Sequence, residues 1–215
     1  MADIKIPIEL SANSEKIIAD KKIEQNFSYQ SWGDTELEAV RTEIRNYYKT
    51  KQNAKCAFCQ QPVSLVSAFN CQVEHIVPKK LHEDFMFTPT NLCVICADCN
   101  QIKRDQETLN EIPETMTQAS KRKKYPRSSG AFKIVHPHFD VWHDHIVIFD
   151  DLYVDQTMKG HFTIGACKLN RKLHEFGYVE EITTDEEISE LMNQFLEETD
   201  SIKRRQLLNK IKKIK

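Results

Sequence analysis

The residues with the clearest chemical potential are two pairs of cysteines, each pair separated by two residues. Cys56 and Cys59 form the first pair, and Cys96 and Cys99 form the second. A two-residue gap lets two thiolates from one tight turn reach the same ion, and zinc prefers four tetrahedral nitrogen or sulfur ligands. Two such turns can close one four-cysteine zinc site. Because protein would fill all four positions, the predicted zinc is structural and not catalytic.

Two other interpretations of these cysteines stay open at this point. They could be ordinary buried residues, or one pair could be a redox pair of the thioredoxin kind, which needs only one pair beside a βαβ unit. The chain has seven cysteines, an odd number that argues against a fully paired disulfide framework. Cys71, Cys93 and Cys167 lack the paired spacing, and we expect them to be small buried apolar residues.

An acidic residue and a histidine stand side by side between the cysteine pairs, at Glu74 and His75. Histidine titrates near neutral pH and can take a proton from water. The oxygens of Glu74, and of Asn100 further on, suit a hard cation such as Mg²⁺ or Mn²⁺, which can polarise a phosphate. On a strand, Glu74 and His75 would point to opposite faces. Taken alone, the pair could be a solvated strand face, and Asn91 and Asn100 could be helix caps.

The order of these motifs resembles the HNH endonuclease family. It runs from Cys-x-x-Cys through Glu-His-Ile-x-Pro and Asn-Leu to Cys-x-x-Cys-Asn-x-x-Lys, within residues 56–106. The resemblance implies a ββα-metal core, a β-hairpin followed by a helix, that holds one divalent metal. It also implies hydrolysis of phosphodiester bonds, with DNA as the expected substrate.

The resemblance assigns a role to each matching position. His75 matches the general base, Glu74 the acidic ligand of a catalytic Mg²⁺ or Mn²⁺, and Asn91 the residue that supports the hairpin loop. Asn100 stands where the namesake residue is His and would supply an oxygen ligand, so the chain resembles an H-N-N variant. Lys103 matches a frequent basic position. Glu74 departs from the more usual Asp.

Several basic residues are candidate nucleic-acid contacts. The formal net charge of −2 excludes a globally basic surface, so any phosphate contact must be a local patch. Such patches give sequence-independent affinity, although a charge run is often only a solvated surface. The predicted contacts are Lys79, Lys80, Lys103, Lys121, Arg122, Lys123, Lys124 and Arg127.

A second stretch, residues 136–145, holds four of the eight histidines. It could be a second metal site, but we favour a His-Pro turn followed by a strand with polar edges. The region up to about Tyr178 loosely resembles the part that follows the nuclease core in HNH proteins of Septu and retron-linked anti-phage systems. That resemblance implies a role in antiviral defence with a protein partner such as an ATPase. The rival hypothesis is a catalytically silent zinc module that binds nucleic acid or protein, which would not need the Glu74–His75 pair.

The elements around these motifs predict an α+β fold: a treble-clef-like ββα core with helices around it and a small mixed C-terminal extension. We predict four regions: an N-terminal helical extension (1–55), the nuclease core with its zinc site (56–110), a strand-containing accessory region packed on the core (111–180) and a helical tail (181–215). The sequence shows no signal peptide and no apolar run of membrane-spanning length. We therefore expect a cytoplasmic protein without a membrane partner.

Individual elements follow from periodicity. Ile4, Ile6 and Ile8 alternate like a short strand, whereas Leu37, Val40, Ile44 and Tyr47 or Tyr48 recur at helical spacing after a possible cap at Asp34. The stretches 132–151 and 161–170 look like strands. A short helix is predicted over 169–176, closed by Gly177, and a tail helix begins at a capping box formed by Thr184 and Glu187.

Overall fold

A computed structural model describes residues 2–110, 124–149, 151–176 and 186–214. The described chain mixes helices with short strands, which confirms the predicted α+β class. In chain order the elements are α1 (Ala12–Lys22), α2 (Glu38–Lys51), β1 (Gln72–His75), β2 (Leu92–Ile95), α3 (Ala97–Lys103), β3 (Ile146–Phe149), β4 (Leu152–Asp155), α4 (Met158–Cys167), α5 (Arg171–Phe176), α6 (Glu186–Glu197) and α7 (Ser201–Ile214).

A β-hairpin followed directly by a helix lies at the centre of the first part of the chain. Strands β1 and β2 pair antiparallel, with Glu74 opposite Cys93 and His75 opposite Leu92. All four residues of β2 are buried, in keeping with its continuous apolar sequence. Cys96 caps α3, since its sulfur accepts a hydrogen bond from the backbone nitrogen of Cys99. The second cysteine pair therefore fixes the start of the helix.

Helix α2 packs against this hairpin through the face that the sequence predicts. Leu37, Val40, Ile44 and Tyr48 are all fully buried. The helix begins at Glu38, after a short 3-10 turn that Asp34 precedes without making a side-chain cap. The Tyr48 hydroxyl accepts a hydrogen bond from the Ile8 nitrogen (3.1 Å) and donates one to the Pro89 carbonyl (2.7 Å).

The predicted strand over Ile4–Ile8 is wrong. Ile4 and Ile8 are buried and Ile6 is exposed, so the alternation is real, but the segment pairs with no strand in the described chain. Its backbone groups instead bond the Tyr47 and Tyr48 hydroxyls and, through the Ile4 nitrogen, the Pro137 carbonyl. Two tyrosine hydroxyls and one backbone carbonyl thus replace the ladder of a neighbouring strand.

The predicted strand over 161–170 is also wrong, because residues 158–167 form helix α4. Thr157 caps this helix by accepting a hydrogen bond from the Gly160 nitrogen (3.2 Å). Its buried face carries Gly160, Thr163, Ala166 and Cys167, at helical spacing. A Cβ atom at Gly160 would lie 2.0 Å from the His145 carbonyl oxygen, so only glycine permits this close approach.

The stretch 132–151 is less regular than predicted. A 3-10 turn spans Trp142–Asp144, and β3 begins only at Ile146. His143 and His145 therefore do not alternate on a strand. Strand β4 pairs with β3 in a two-stranded sheet.

The described chain separates into two compact units. The first comprises Met1–Val147 with Val154–Leu169, and the second comprises Ile148–Tyr153 with Asn170–Lys215. In the second unit α6 packs on α7, and the Arg204 guanidinium lies 4.4 Å from the centre of the Phe195 ring. The short helix near 169–176 and the helical tail are confirmed, while Gly177 and Thr184 lie outside the described residues. None of the described helices is long and apolar enough to span a bilayer.

Candidate metal centre and catalytic site

The two cysteine pairs come together as the sequence predicts. The sulfurs of Cys56, Cys59, Cys96 and Cys99 all lie within 4.8 Å of one another, and all four residues are buried. The Cys59 and Cys96 sulfurs are 3.7 Å apart. A Zn–S bond of about 2.3 Å gives a tetrahedron with edges of about 3.8 Å. The four thiols thus fit a structural zinc, and among the described residues they are the only cluster of metal-ligating type.

The four thiols strongly affect one another's pKa values. Burial raises the pKa of the Cys56 thiol well above its ordinary value, whereas hydrogen bonds from Cys56, Cys59 and Cys99 hold the pKa of Cys96 far below it. Four sulfurs at this separation cannot all be charged unless a positive ion lies between them. The buried position of the cluster strengthens that requirement.

The surroundings of the cluster include residues that the cysteine spacing does not reveal. Cys71, Cys93 and Cys167 are buried, as predicted, and the neighbouring Cys167 thiol raises the pKa of Cys99. The Trp142 indole donates to the Phe58 carbonyl (2.8 Å), within the first Cys-x-x-Cys turn. The sequence gives no signal for these two neighbours of the cluster, because they are far from the cysteine pairs along the chain.

Glu74 lies in a buried ion pair. Its Oε1 atom is 2.5 Å from the Lys103 ammonium, which also donates to the His75 carbonyl (3.2 Å). Lys103 is fully buried and Glu74 is 6% exposed. This position corrects the prediction that Lys103 contacts nucleic acid, because a buried ammonium bound to a carboxylate cannot reach a backbone phosphate.

Asn100 lies on the same side of the hairpin as Glu74. Its amide nitrogen donates to the Gln72 side chain, and Gln72 is two residues before Glu74 on β1, so both face α3. Asn100 and Lys103 are three residues apart, on one face of α3. The strand and the helix thus bring Gln72, Glu74, Asn100 and Lys103 together. The period-2 position of Gln72 is the only sequence signal that could have identified it.

His75 points to the other side of β1. Its Nε2 atom lies 3.0 Å from the Met86 carbonyl oxygen, and the Trp32 ring packs edge-on against the imidazole, with 4.5 Å between ring centres. Burial lowers the pKa of His75 well below its usual value, and the nearby Lys79 and Lys103 lower it further. Since a carbonyl only accepts, Nε2 carries the proton and Nδ1 the lone pair. Trp32 packs against this ring, and its role could not be predicted from the sequence because it lies outside the motif segment.

Asn91 clasps the loop that joins the two strands. Its Oδ1 atom accepts from the Val77 nitrogen (2.7 Å), and its Nδ2 atom donates to the Val77 (3.0 Å) and Phe85 (3.1 Å) carbonyls. The side chain is fully buried. All three bonds are to the backbone, so Asn91 fixes the path of the segment between His75 and β2.

The remaining basic residues differ in their surroundings. Lys79 is half-buried near Glu74, and burial lowers its pKa, whereas Lys80 is exposed and lies 3.4 Å from Asp105. Lys124 and Arg127 are exposed. The other three predicted contacts, Lys121, Arg122 and Lys123, lie outside the described residues.

The histidines of residues 136–145 belong to a hydrogen-bonded network. His136 Nε2 bonds the Tyr125 hydroxyl (2.8 Å), and His138 Nε2 bonds the Leu92 carbonyl (2.8 Å) at the start of β2. Asp140 pairs with Lys159 and accepts from the His136 backbone nitrogen. These contacts tie the stretch to the hairpin, and no metal-type cluster forms there among the described residues.

Comparison with known proteins adds no relationship. No protein-family model matches the chain, and no curated protein matches it.

Proposed function

We propose that this protein is a metal-dependent nuclease of the HNH class that hydrolyses phosphodiester bonds. The observation that carries the proposal is the four-cysteine cluster, which joins a turn that precedes the β-hairpin to the start of the helix that follows it. Glu74 and His75 stand on that hairpin, and Asn100 stands on that helix. A zinc at the cluster would hold these three residues on one rigid unit, with Glu74 and Asn100 on one side of β1 and His75 on the other.

His75 has the properties of a general base. Its neutral ring keeps a lone pair on Nδ1, while the Met86 carbonyl fixes the tautomer through Nε2. The lowered pKa keeps the imidazole uncharged at neutral pH, which leaves Nδ1 free to accept a proton, although it also makes His75 a weaker base than an exposed histidine. Trp32 is only partly buried, and we propose that substrate reaches the ring beside it.

Glu74 and Asn100 would hold the catalytic Mg²⁺ or Mn²⁺. Their donor chemistry fits, because Asn100 uses its nitrogen toward Gln72 and keeps its oxygen for a cation, while Glu74 shares only Oε1 with Lys103. When bound, such an ion supplies charge to polarise the phosphate and to stabilise the leaving oxygen. Lys79, half-buried beside Glu74, would bind the substrate phosphate.

DNA as substrate, a cytoplasmic location and an anti-phage role with a partner ATPase are further parts of the proposal. The substrate and the anti-phage role rest on the sequence resemblance, whereas the location is the expectation drawn in the sequence analysis. Exposed Lys124 and Arg127 would add phosphate contacts, together with Lys80 and the neighbouring basic residues 121–123.

Plasmid cleavage with Mg²⁺ or Mn²⁺ tests the proposal. We expect the wild-type protein to cleave and His75→Ala to lose at least about 100-fold in rate, the typical contribution of a general base. His161→Ala, at an exposed histidine, is the matched control and should cleave like the wild type. Equal cleavage by wild type and His75→Ala would point to a contaminant or another site and would overturn the assignment.

A silent zinc module is the second candidate, and one observation favours it. His75 is only 4% exposed and Glu74 is bound by Lys103, as expected for residues with structural roles. On that hypothesis the wild type would bind nucleic acid or a protein but would not cleave with either metal. Adding the proposed partner would not restore cleavage.

A further inference from the structure

The loop over residues 64–70 presents apolar side chains to solvent. Leu65 is 70% exposed, Val66 98% and Phe69 76%. Isolated apolar residues on a surface need no explanation, but several on one short loop indicate an interaction site. This loop leads from the first cysteine pair into β1.

The loop is held in a defined conformation although its side chains are exposed. The Ser64 hydroxyl accepts from the Val66 (3.3 Å) and Ser67 (2.8 Å) nitrogens, and the Ser64 nitrogen donates to the Asn70 carbonyl (2.9 Å). The Lys49 ammonium donates to the Leu65 carbonyl (3.1 Å). An apolar surface that is already ordered loses little entropy when it binds a ligand.

The loop is continuous with the candidate catalytic site. Asn70 accepts a hydrogen bond from the Ala97 nitrogen (3.0 Å), at the first residue of α3. Gln72 donates to the Phe69 carbonyl (2.8 Å) and accepts from Asn100. One side chain therefore links the backbone of Phe69 to a proposed metal ligand.

Two cations lie at the base of the loop. Lys49 and Arg45 both act on the Cys71 thiol, where they oppose the rise in pKa that burial causes. The Arg45 Nε atom is buried and has no hydrogen-bond partner in the described part of the chain. Glu38, on the same helix, is already bound by Arg41. The loop therefore combines the Lys49 ammonium with an exposed aromatic ring, and positive charge together with aromatic rings binds single-stranded nucleic acid.

We propose that the 64–70 loop binds an unpaired nucleobase of the substrate, with Phe69 stacked on the base and Lys49 and Arg45 near the strand's phosphates. This inference rests on the proposed nuclease function and deepens it, since it names a single-stranded or locally unpaired strand as the substrate class. Leu65 and Val66 add exposed apolar surface on the same loop.

The test compares Phe69→Ala, Phe69→Trp and the wild type for binding to a single-stranded oligonucleotide and to the same sequence as a duplex, with 2-aminopurine as the stacking probe. Stacking on one aromatic ring contributes about 1–3 kcal/mol, so Phe69→Ala should weaken single-strand binding about 5- to 150-fold. It should also reduce the quenching of 2-aminopurine, and Phe69→Trp should restore both. Duplex affinity should change less than about twofold. Ile23→Ala, at an apolar residue 84% exposed on another surface, should bind like the wild type.

The outcomes separate this inference from the nuclease proposal. Unchanged single-strand binding by Phe69→Ala, with His75-dependent cleavage intact, overturns the loop inference alone. An equal loss for single strand and duplex overturns the preference for unpaired bases. A change from dimer to monomer, with nucleic-acid binding unchanged, shows a contact between copies of the chain and also overturns it. A wild-type protein that binds neither form and does not cleave removes both proposals.

Discussion

At the scale of single residues, the Glu74–Lys103 pair has the largest energetic consequences. Both side chains are removed from water, with Lys103 fully buried. Desolvating two charges is costly, and their attraction offsets that cost only while both partners are present. The same carboxylate is the proposed cation ligand, so one residue serves both the stability of the hairpin–helix unit and the proposed chemistry.

A double-mutant cycle measures this pair. Lys103→Met and Glu74→Gln should each lower the free energy of unfolding by about 3–5 kcal/mol, because each leaves one buried charge uncompensated. The double variant should lose much less than the sum of the two. The exposed pair Lys80–Asp105 is the matched control, with an expected coupling below about 1 kcal/mol. Denaturant unfolding gives these values, and additive losses at Glu74 and Lys103 would contradict the argument.

Asn91 supports a second prediction at this scale. Its three hydrogen bonds all go to buried backbone groups of Val77 and Phe85, which Asn91→Ala would leave unsatisfied. We expect a loss of about 2–4 kcal/mol, since each unsatisfied buried group costs about 1–3 kcal/mol. Asn91→Asp should lose at least as much because a carboxylate would face two carbonyl oxygens. Asn46→Ala, at an exposed position of α2, should change stability by less than about 0.5 kcal/mol. If Asn91→Ala were as stable as the wild type, the three hydrogen bonds of Asn91 would not stabilise the loop as argued.

At the scale of elements, local pattern predicted some parts of the fold and not others. The α2 face and the cysteine turns follow from spacing alone, because helical period and the two-residue gap are local properties. Helix α4 was missed because its β-branched and aromatic residues favour a strand by propensity, while packing of Gly160 against His145 selects a helix. The ion pair of Glu74 and the cover of Trp32 over His75 depend on contacts distant in sequence, which no local pattern encodes.

Zinc is expected to hold the hairpin and α3 together as one element. We predict about one zinc per chain and, for Cys96→Ala, almost none, because three thiolates bind the ion much more weakly than four. The unfolding midpoint should fall by more than about 10 °C, since loss of the metal removes several kcal/mol. Cys71→Ala, at a buried cysteine outside the cluster, should keep its zinc. Metal analysis and thermal unfolding decide this, and full zinc occupancy in Cys96→Ala would exclude the four-cysteine site.

At the scale of the whole molecule, buried histidines join the parts of the first unit. His138 bonds the Leu92 carbonyl through Nε2, and His136 bonds the Tyr125 hydroxyl. Burial lowers the pKa of His136 well below its ordinary value and that of His138 to about 4. Proton uptake at these sites would place positive charge inside the protein. The His138 Nδ1 atom has no hydrogen-bond partner in the described chain, so a proton there would meet no acceptor.

The sign of the resulting pH dependence follows from these pKa values. Between the ordinary pKa of histidine, about 6.5, and the folded value of about 4, the unfolded chain binds the proton that folded His138 excludes. The contribution of neutral His138 to the free energy of unfolding is therefore complete above pH 6.5. It is lost as the pH falls, by about 2 kcal/mol between pH 7 and pH 5.

The variant His138→Gln tests this pH dependence. Its side chain can still donate to the Leu92 carbonyl, so it should be less stable than the wild type at pH 7, but its free energy of unfolding should change less with pH. His143→Gln, at an exposed histidine, should keep the wild-type slope. Denaturant unfolding at several pH values measures the difference. An unchanged slope in His138→Gln would show that acid acts on other groups, such as the zinc-binding thiolates.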